Sequence, residues 1–345
     1  MGQILDLIRL FGLGRLLTLK RRHERALPFI RGYSATASLW ALFNTGVMDE
    51  LKLGPASAAE LASRLSLDER NLGYVLDYLD CIRVLKRHGD GRYALDRLGL
   101  DLVEEPRGAF DLACGYEDVL SELTGLVRGE KQFGRDVARR GKFIAKGSGE
   151  LGLQLPFPVM ADMVRRAGFR RVLDLGCGDL EFLFTLCRSD ERVRGYGIDV
   201  SRDAIDHARE RLASSPFRDR VAVETGDLFD VDPFLARWKD VDVMTSCDTF
   251  HEHLSGGTEK VEKVLAHYHK AFPGVALLVA EFCVQPHDRL RKRPTAFVEH
   301  HLWHNLTNQV ILPAQEWRDI FGRAGYRIEE ERVFDIVGHG YFLLR

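Results

Sequence analysis

The stretch Arg171-Val172-Leu173-Asp174-Leu175-Gly176-Cys177-Gly178-Asp179 constrains this chain more than any other. An apolar run of strand length ends in two glycines and then gives way to a helical pattern over residues 181–189. The same alternation continues from about residue 152 to the C-terminus. Strand patterns fall in 194–201, 220–230, 241–250 and 274–284, with helical patterns in 201–215 and 257–272 between them. The last 33 residues, 313–345, read as a helix followed by two strands separated by turn residues. Strand–helix alternation of this kind predicts a doubly wound parallel sheet, a Rossmann-like α/β fold that binds its ligand at the carboxyl ends of the strands.

The residues ahead of this region read differently. Residues 33–100 form a compact helical unit: Leu39, Leu42, Phe43 and Val47 have helical spacing, and Ser57 with Glu60 three residues on is a capping box. Asp68-Glu69-Arg70 opens a further helix, and strands around Gly89-Asp90-Gly91 follow. Helices followed by a hairpin are the pattern of a winged helix. The helix that would enter a DNA groove carries Asp77 and Asp80, which repel phosphate. The whole chain has 49 basic and 51 acidic residues, a net charge of −2, so it lacks the basic surplus of a nucleic-acid binder. A dimerisation role is the expectation.

Ile4, Leu5, Ile8 and Phe11 outline an amphipathic helix interrupted by Gly12 and Gly14, which predicts packing on a partner subunit. The basic cluster Lys20-Arg21-Arg22 follows the apolar stretch, the reverse of a signal peptide, and no apolar run reaches membrane-spanning length. The 6 cysteines form no CxxC pair and read as buried free thiols of a cytoplasmic protein. The expected organisation is a helical, winged-helix dimerisation domain over 1–100, a helical connector covering the active site over 101–151, and the α/β domain over 152–345.

The turn after the first strand is not GxGxxG, because Glu181 stands where the third glycine would be. Asp174, Asp179 and Glu181 suit a cationic ligand better than a pyrophosphate. The next strand ends in Asp199, placed to accept from ribose hydroxyls. The third runs into Gly226-Asp227-Leu228, an acid for an adenine amino group and an apolar side chain for its ring. Ribose, adenine and a positive centre together describe S-adenosylmethionine (SAM). With Asp174, Gly176, Gly178, Asp199, Asp227, Leu228 and Cys247 as its cofactor-binding residues, the chain resembles the class I SAM-dependent methyltransferases. Its N-terminal unit resembles the dimerisation domain of the small-molecule O-methyltransferases, and the resemblance implies a homodimer.

After the fourth strand the chain reads Cys247-Asp248-Thr249-Phe250-His251-Glu252-His253. His251 matches the histidine that removes a phenolic proton in the O-methyltransferases, with Glu252 replacing their acid. A second histidine-rich segment spans 297–309. There His301, Asn305 and Gln309 share a helix face, while His300 and His304 form an i, i+4 pair with no glutamate between them, unlike HExxH. This pattern resembles the metal-dependent α-keto acid C-methyltransferases, including phenylpyruvate C3-methyltransferases of secondary metabolism.

That resemblance implies a divalent metal, Fe(II) or Zn, on His251 and on His301, with His304 as the substitute for the latter. It implies Arg128 on the substrate carboxylate, and methylation at C3 of a 2-oxo acid through a metal-stabilised enolate. Gln309 is an outside candidate for a third ligand, and His253, Glu252, Asp248 and a metal-bound hydroxide stand open as proton acceptor. The alternative is a metal-free O-methyltransferase with His251 as general base. A SAM-sensing or DNA-binding regulator is the non-enzymatic reading, which the acidic helix disfavours.

Overall fold

The structure is a computed structural model that describes residues 2–104, 107–230, 232–234 and 237–345. The chain divides into two compact units, residues 1–114 and 115–345.

The first unit is mostly helical. Gly12, with φ +75°, separates the helix Gly2–Phe11 from a helix of 32 residues, Leu13–Asn44. This second helix starts well before residue 33, where the apolar spacing of the sequence begins. Gly14 and Pro28 lie inside it and do not end it. The residues around Pro28 are exposed, so the carbonyl that the proline leaves unpaired can be hydrated. Three shorter helices follow, Val47–Leu53, Ala58–Leu65 and Glu69–Cys81, and then an antiparallel pair, β1 (Leu85–Arg87) and β2 (Tyr93–Leu95). Ser57 and Glu60 make the reciprocal capping box that their spacing predicts. The two acids on Glu69–Cys81 hold the hairpin: Asp77 accepts from the Tyr93 hydroxyl at 2.6 Å, and Asp80 from the backbone N–H of Arg87 at 2.8 Å. Leu61, Leu76, Leu79 and Val47 fill the core of this unit.

The second unit is built on a seven-stranded sheet. Its strands are β3 (Arg171–Leu175), β4 (Arg194–Asp199), β5 (Val221–Thr225), β6 (Val243–Cys247), β7 (Ala276–Phe282), β8 (Ile328–Phe334) and β9 (His339–Leu344). They lie in the order β5-β4-β3-β6-β7-β9-β8. Strands β3 to β7 are parallel, as the alternation predicts. The sheet as a whole is mixed, because β9 runs antiparallel to both β7 and β8. The cause is local: only residues 335–338 join β8 to β9, too few for the crossover that a parallel pair requires. Helices cover both faces, and β7 contributes to both apolar cores through alternate residues, Leu277 and Val279 to one, Leu278 and Ala280 to the other. Strand β3 pairs with β4 on one side and β6 on the other, so the order reverses there and opens a crevice at the strand ends.

Among the described residues, no helix is long and apolar enough to cross a membrane. All six cysteines are free; Cys81 is exposed, contrary to the expectation that all are buried, and Cys247 is half-buried.

Candidate active site

The crevice is a cavity of about 460 Å³. Asp174, Gly176, Gly178, Asp199, Asp227, Leu228 and Cys247, nominated from sequence for the cofactor, all line it. The glycine turn makes the approach possible. Gly176 and Gly178 have φ of +79° and +52°, and a Cβ on Gly176 would stand 2.8 Å from the Thr249 hydroxyl. Asp199 holds the turn in place, accepting from the N–H of Gly178 at 3.0 Å and of Ser201 at 2.8 Å. Asp227 accepts from the N–H of Phe229 at 2.8 Å, which fixes the loop after β5.

Three acids read as a cation-friendly group divide in the structure. Asp179 and Glu181 are ion-paired with Arg211. Among the described residues Asp174 has only the hydroxyl of Thr245, at 2.7 Å, and burial pushes its carboxyl up to about 7, with the charge of Asp199 adding to the rise. Asp174 is therefore the acid with most to gain from a cation in the cavity.

His251 follows β6 in a single 3-10 turn, Phe250–His253, and is fully enclosed. Its Nδ1 lies 2.8 Å from Glu281 at the end of β7. Glu281 is 0% exposed and also accepts from the N–H groups of Thr249 and Phe250, at 3.1 and 2.6 Å. Burial works against a charged His251, but the Glu281 carboxylate outweighs it and raises the imidazole above its usual value. The sequence reading missed Glu281. Its signal is an acid in an otherwise apolar strand, Ala276–Phe282.

The second histidine segment forms the helix Phe297–Leu306. It brings His304, not His301, to His251: the two rings are 5.1 Å apart. His304 Nδ1 donates to the carbonyl of His300 at 2.8 Å, and burial, reinforced by His251, pushes the imidazole down to about 3. The His301 ring packs instead on Phe297, with its Nε2 buried and unpartnered. The i, i+4 spacing places His300 and His304 one above the other, ring centroids 3.7 Å apart, so only one of them meets His251.

Arg128 ends the short helix Leu123–Val127, is two-thirds exposed, and has its one ion pair among the described residues with Glu130 at 3.9 Å. It does not line the cavity. Arg139 does: it donates to Glu252 at 3.0 Å, and Glu252 also accepts from Gln309 at 2.6 Å. Burial opposes the charge of both partners, yet their attraction prevails, so Arg139 is raised and Glu252 lowered. The Gln309 carbonyl accepts from Tyr116 and Thr307, so both ends of this amide are committed, contrary to its candidacy as a ligand. His253 lies on another wall of the cavity, edge-on to Phe229, where burial and then Lys260 lower its pKa. Asp248 lines the cavity too, and its Oδ1 lies 2.8 Å from His339 Nε2 at the start of β9. One atom from each of Asp248, His251 and Glu281 falls within 4.8 Å of the others.

Comparison with known proteins agrees with this geometry. Residues 173–272 match the family described as a methyltransferase domain. A 2-ketoarginine methyltransferase from Streptomyces arginensis is 26% identical over 318 residues, 90% of each chain. A 3-hydroxy-5-methyl-1-naphthoate 3-O-methyltransferase from Streptomyces sahachiroi is 26% identical over 57% of this chain and 61% of its own. Among solved structures, a mitomycin 7-O-methyltransferase superposes with a TM-score of 0.71 at 19% identity, covering 96% of this chain and 99% of that one. Human N-acetylserotonin methyltransferase in complex with SAM gives 0.71 at 15% identity, over 94% and 97%. A cavity at the strand-order reversal, the acids at three strand ends and the matched methyltransferase domain lead to one conclusion: this chain is a SAM-dependent methyltransferase.

Proposed function

We propose that the enzyme transfers a methyl group from SAM to C3 of a 2-oxo acid, with a divalent metal at the reacting centre. The observation that carries this reading is the pair His251 and His304. Each ring has its Nδ1 engaged, by Glu281 and by the His300 carbonyl, which leaves Nε2 for another ligand. An imidazole oriented through its other nitrogen is the usual state of a metal-binding histidine. His304, held near 3, stays neutral at working pH, as a ligand must. His251 and His304 would hold the ion, Fe(II) or Zn; the Glu281 carboxylate, already facing three donors, orients His251 from behind. Bound there, a divalent ion would supply Lewis-acid stabilisation of negative charge developing on a keto oxygen. The relative acting on 2-ketoarginine, matched over 90% of both chains, supports the substrate class.

The chain's own groups do the rest. Arg139, braced by Glu252 and Gln309, takes the substrate carboxylate through its remaining N–H donors. Asp174 and Asp199 seat the cationic cofactor and its ribose. Exposed apolar residues along the first two helices, Leu10, Phe29 and Tyr33 among them, support assembly as a homodimer.

The test is turnover of SAM with a panel of 2-oxo acids, with the methylated position read by NMR. A C3-methylated product, loss of turnover on chelation and recovery with a divalent ion are expected. An O-methylated product insensitive to chelators establishes the second reading, in which the His251–Glu281 pair alone acts as general base.

A further inference from the structure

We propose that Asp248 accepts the C3 proton of the substrate and that His339 positions it. The proposal rests on the C-methylation reading above and names a group which that reading leaves unassigned.

Three other groups near the reacting centre are committed elsewhere. Glu252 takes Arg139 at 3.0 Å and Gln309 at 2.6 Å, both on Oε1, and its charge is compensated by the ion pair with the Arg139 guanidinium. His251 Nδ1 is tied to Glu281. His253 stands against Phe229 and Lys260, beside the Asp227–Leu228 segment that suits adenine. Asp248 differs from all of them. It lines the cavity directly after β6, and an atom of its carboxylate falls within 4.8 Å of the His251 ring. One carboxylate oxygen, Oδ1, takes the Nε2–H of His339 at 2.8 Å. The other, Oδ2, has only the weak thiol donor of Cys247, at 3.6 Å. One oxygen is therefore anchored and the other is left with spare acceptor capacity.

The backbone supports a functional placement. Asp248 has φ +53°, the left-handed region that a side-chain-bearing residue occupies at a cost. His339 has no evident structural reason to be polar. It is 2% exposed, packs edge-on to Phe282 at 5.0 Å, and its Nδ1 is buried without a hydrogen-bond partner among the described residues. A buried imidazole nitrogen left unsatisfied costs stability and calls for an explanation, and here the other nitrogen reaches Asp248. A carboxylate is a competent base beside a carbonyl when the enolate charge is stabilised separately.

In the step itself, the C3–H bond breaks and its proton passes to Asp248 Oδ2. The bonding pair forms the C2–C3 double bond as the keto π pair moves to oxygen. The enolate C3 then attacks the sulfonium methyl and the S–CH3 bond breaks. The products are S-adenosylhomocysteine, the methylated 2-oxo acid and one proton, which Asp248 releases to water when the site opens.

The experiment follows exchange of the C3 hydrogens for deuterium in D2O by NMR. It uses the metal-loaded enzyme with S-adenosylhomocysteine in place of SAM, alongside C3 methylation with SAM. Asp248→Asn should lose about 100-fold or more in both rates, the scale of a general base, while calorimetry shows SAM still binding. His339→Gln keeps a side-chain N–H for Asp248 and should retain most activity. His339→Leu should lower kcat about tenfold with KM held. Asp248→Asn exchanging at the wild-type rate overturns the proposal and leaves C-methylation standing, as does equal kcat in His339→Gln and His339→Leu. Wild-type enzyme that methylates oxygen overturns the proposal together with the reading it rests on.

Discussion

Glu281 and His251 lie on consecutive strand ends, with carboxylate and Nδ1 2.8 Å apart and neither side chain more than 2% exposed. The same carboxylate pins the backbone N–H groups of Thr249 and Phe250, so the turn that carries His251 and the imidazole itself are fixed by one group. Glu281→Gln keeps an acceptor for the two backbone donors but presents an NH2 to His251 Nδ1. The imidazole must then carry its proton on Nε2, the nitrogen the chemistry needs. A loss of about 10–100-fold in kcat is expected, with SAM affinity held. Steady-state kinetics beside calorimetry checks it; unchanged kcat would remove Glu281 from the site.

Asp174 makes cofactor binding depend on pH. Burial raises its carboxyl from the ordinary 3.8 to about 7, so in the free enzyme it holds a proton at mildly acidic pH. A cationic cofactor favours the ionised form. SAM affinity should therefore rise with pH up to about 7, by as much as about tenfold per unit, and level off above it. The stability of the free protein runs the other way. The folded state keeps a proton that the unfolded chain has already released, so this contribution is complete below 3.8 and is lost as pH rises through about 7. In Asp174→Asn both dependences should flatten. Titration calorimetry and thermal melts from pH 5.5 to 8 measure the two; an affinity independent of pH in the wild type contradicts the assignment.

Much of this was legible in the sequence because strands and turns are local. The glycines after β3, the acid closing β4 and the Asp227-Leu228 pair each announce themselves within a few residues, and all reach one cavity. The partners of the reacting centre were not legible. Glu281, His339 and Arg139 lie 30, 88 and 112 positions from His251; the sheet order and the returning hairpin bring the first two near, and Arg139 comes from a segment ahead of the sheet. Helix spacing offered His301 and the His300–His304 pair as alternatives, and which ring looks inward depends on Phe282 and Phe297, whose rings take His300 and His301. Arg128 was favoured by position, while the fold leaves it at an exposed helix end.

The first two helices carry the assembly prediction. Leu10, Phe29 and Tyr33 are 75%, 82% and 76% exposed, apolar side chains that association would cover. Two copies packing these faces would form a two-fold dimer. Light scattering at micromolar concentration should give twice the chain mass of 39.2 kDa. Phe29→Asp should shift the equilibrium towards monomer without unfolding the core around Leu76, which lies in the later helices. A wild-type monomer at that concentration is incompatible with the prediction.

The helix Phe297–Leu306 decides which histidine would complete the proposed metal pair. His304 faces His251 at 5.1 Å with its Nδ1 already satisfied, whereas His301 packs on Phe297. His251→Ala and His304→Ala should each lose bound metal on elemental analysis while SAM still binds, because the acids proposed for the cofactor, Asp174, Asp199 and Asp227, lie on β3, on β4 and after β5. His301→Ala should retain metal and most activity; its ring is only half-buried, so little is lost in stability. Losing one of two imidazoles removes roughly half of the protein's neutral nitrogen ligands, and affinity should drop by well over the 10–100-fold seen when only an orienting partner is removed. The reverse pattern, metal lost in His301→Ala and kept in His304→Ala, would mean that the helix rotates by about 60° about its axis when the ion binds. Metal kept in all three variants would take the ion away from these histidines altogether and leave His251 as a base alone.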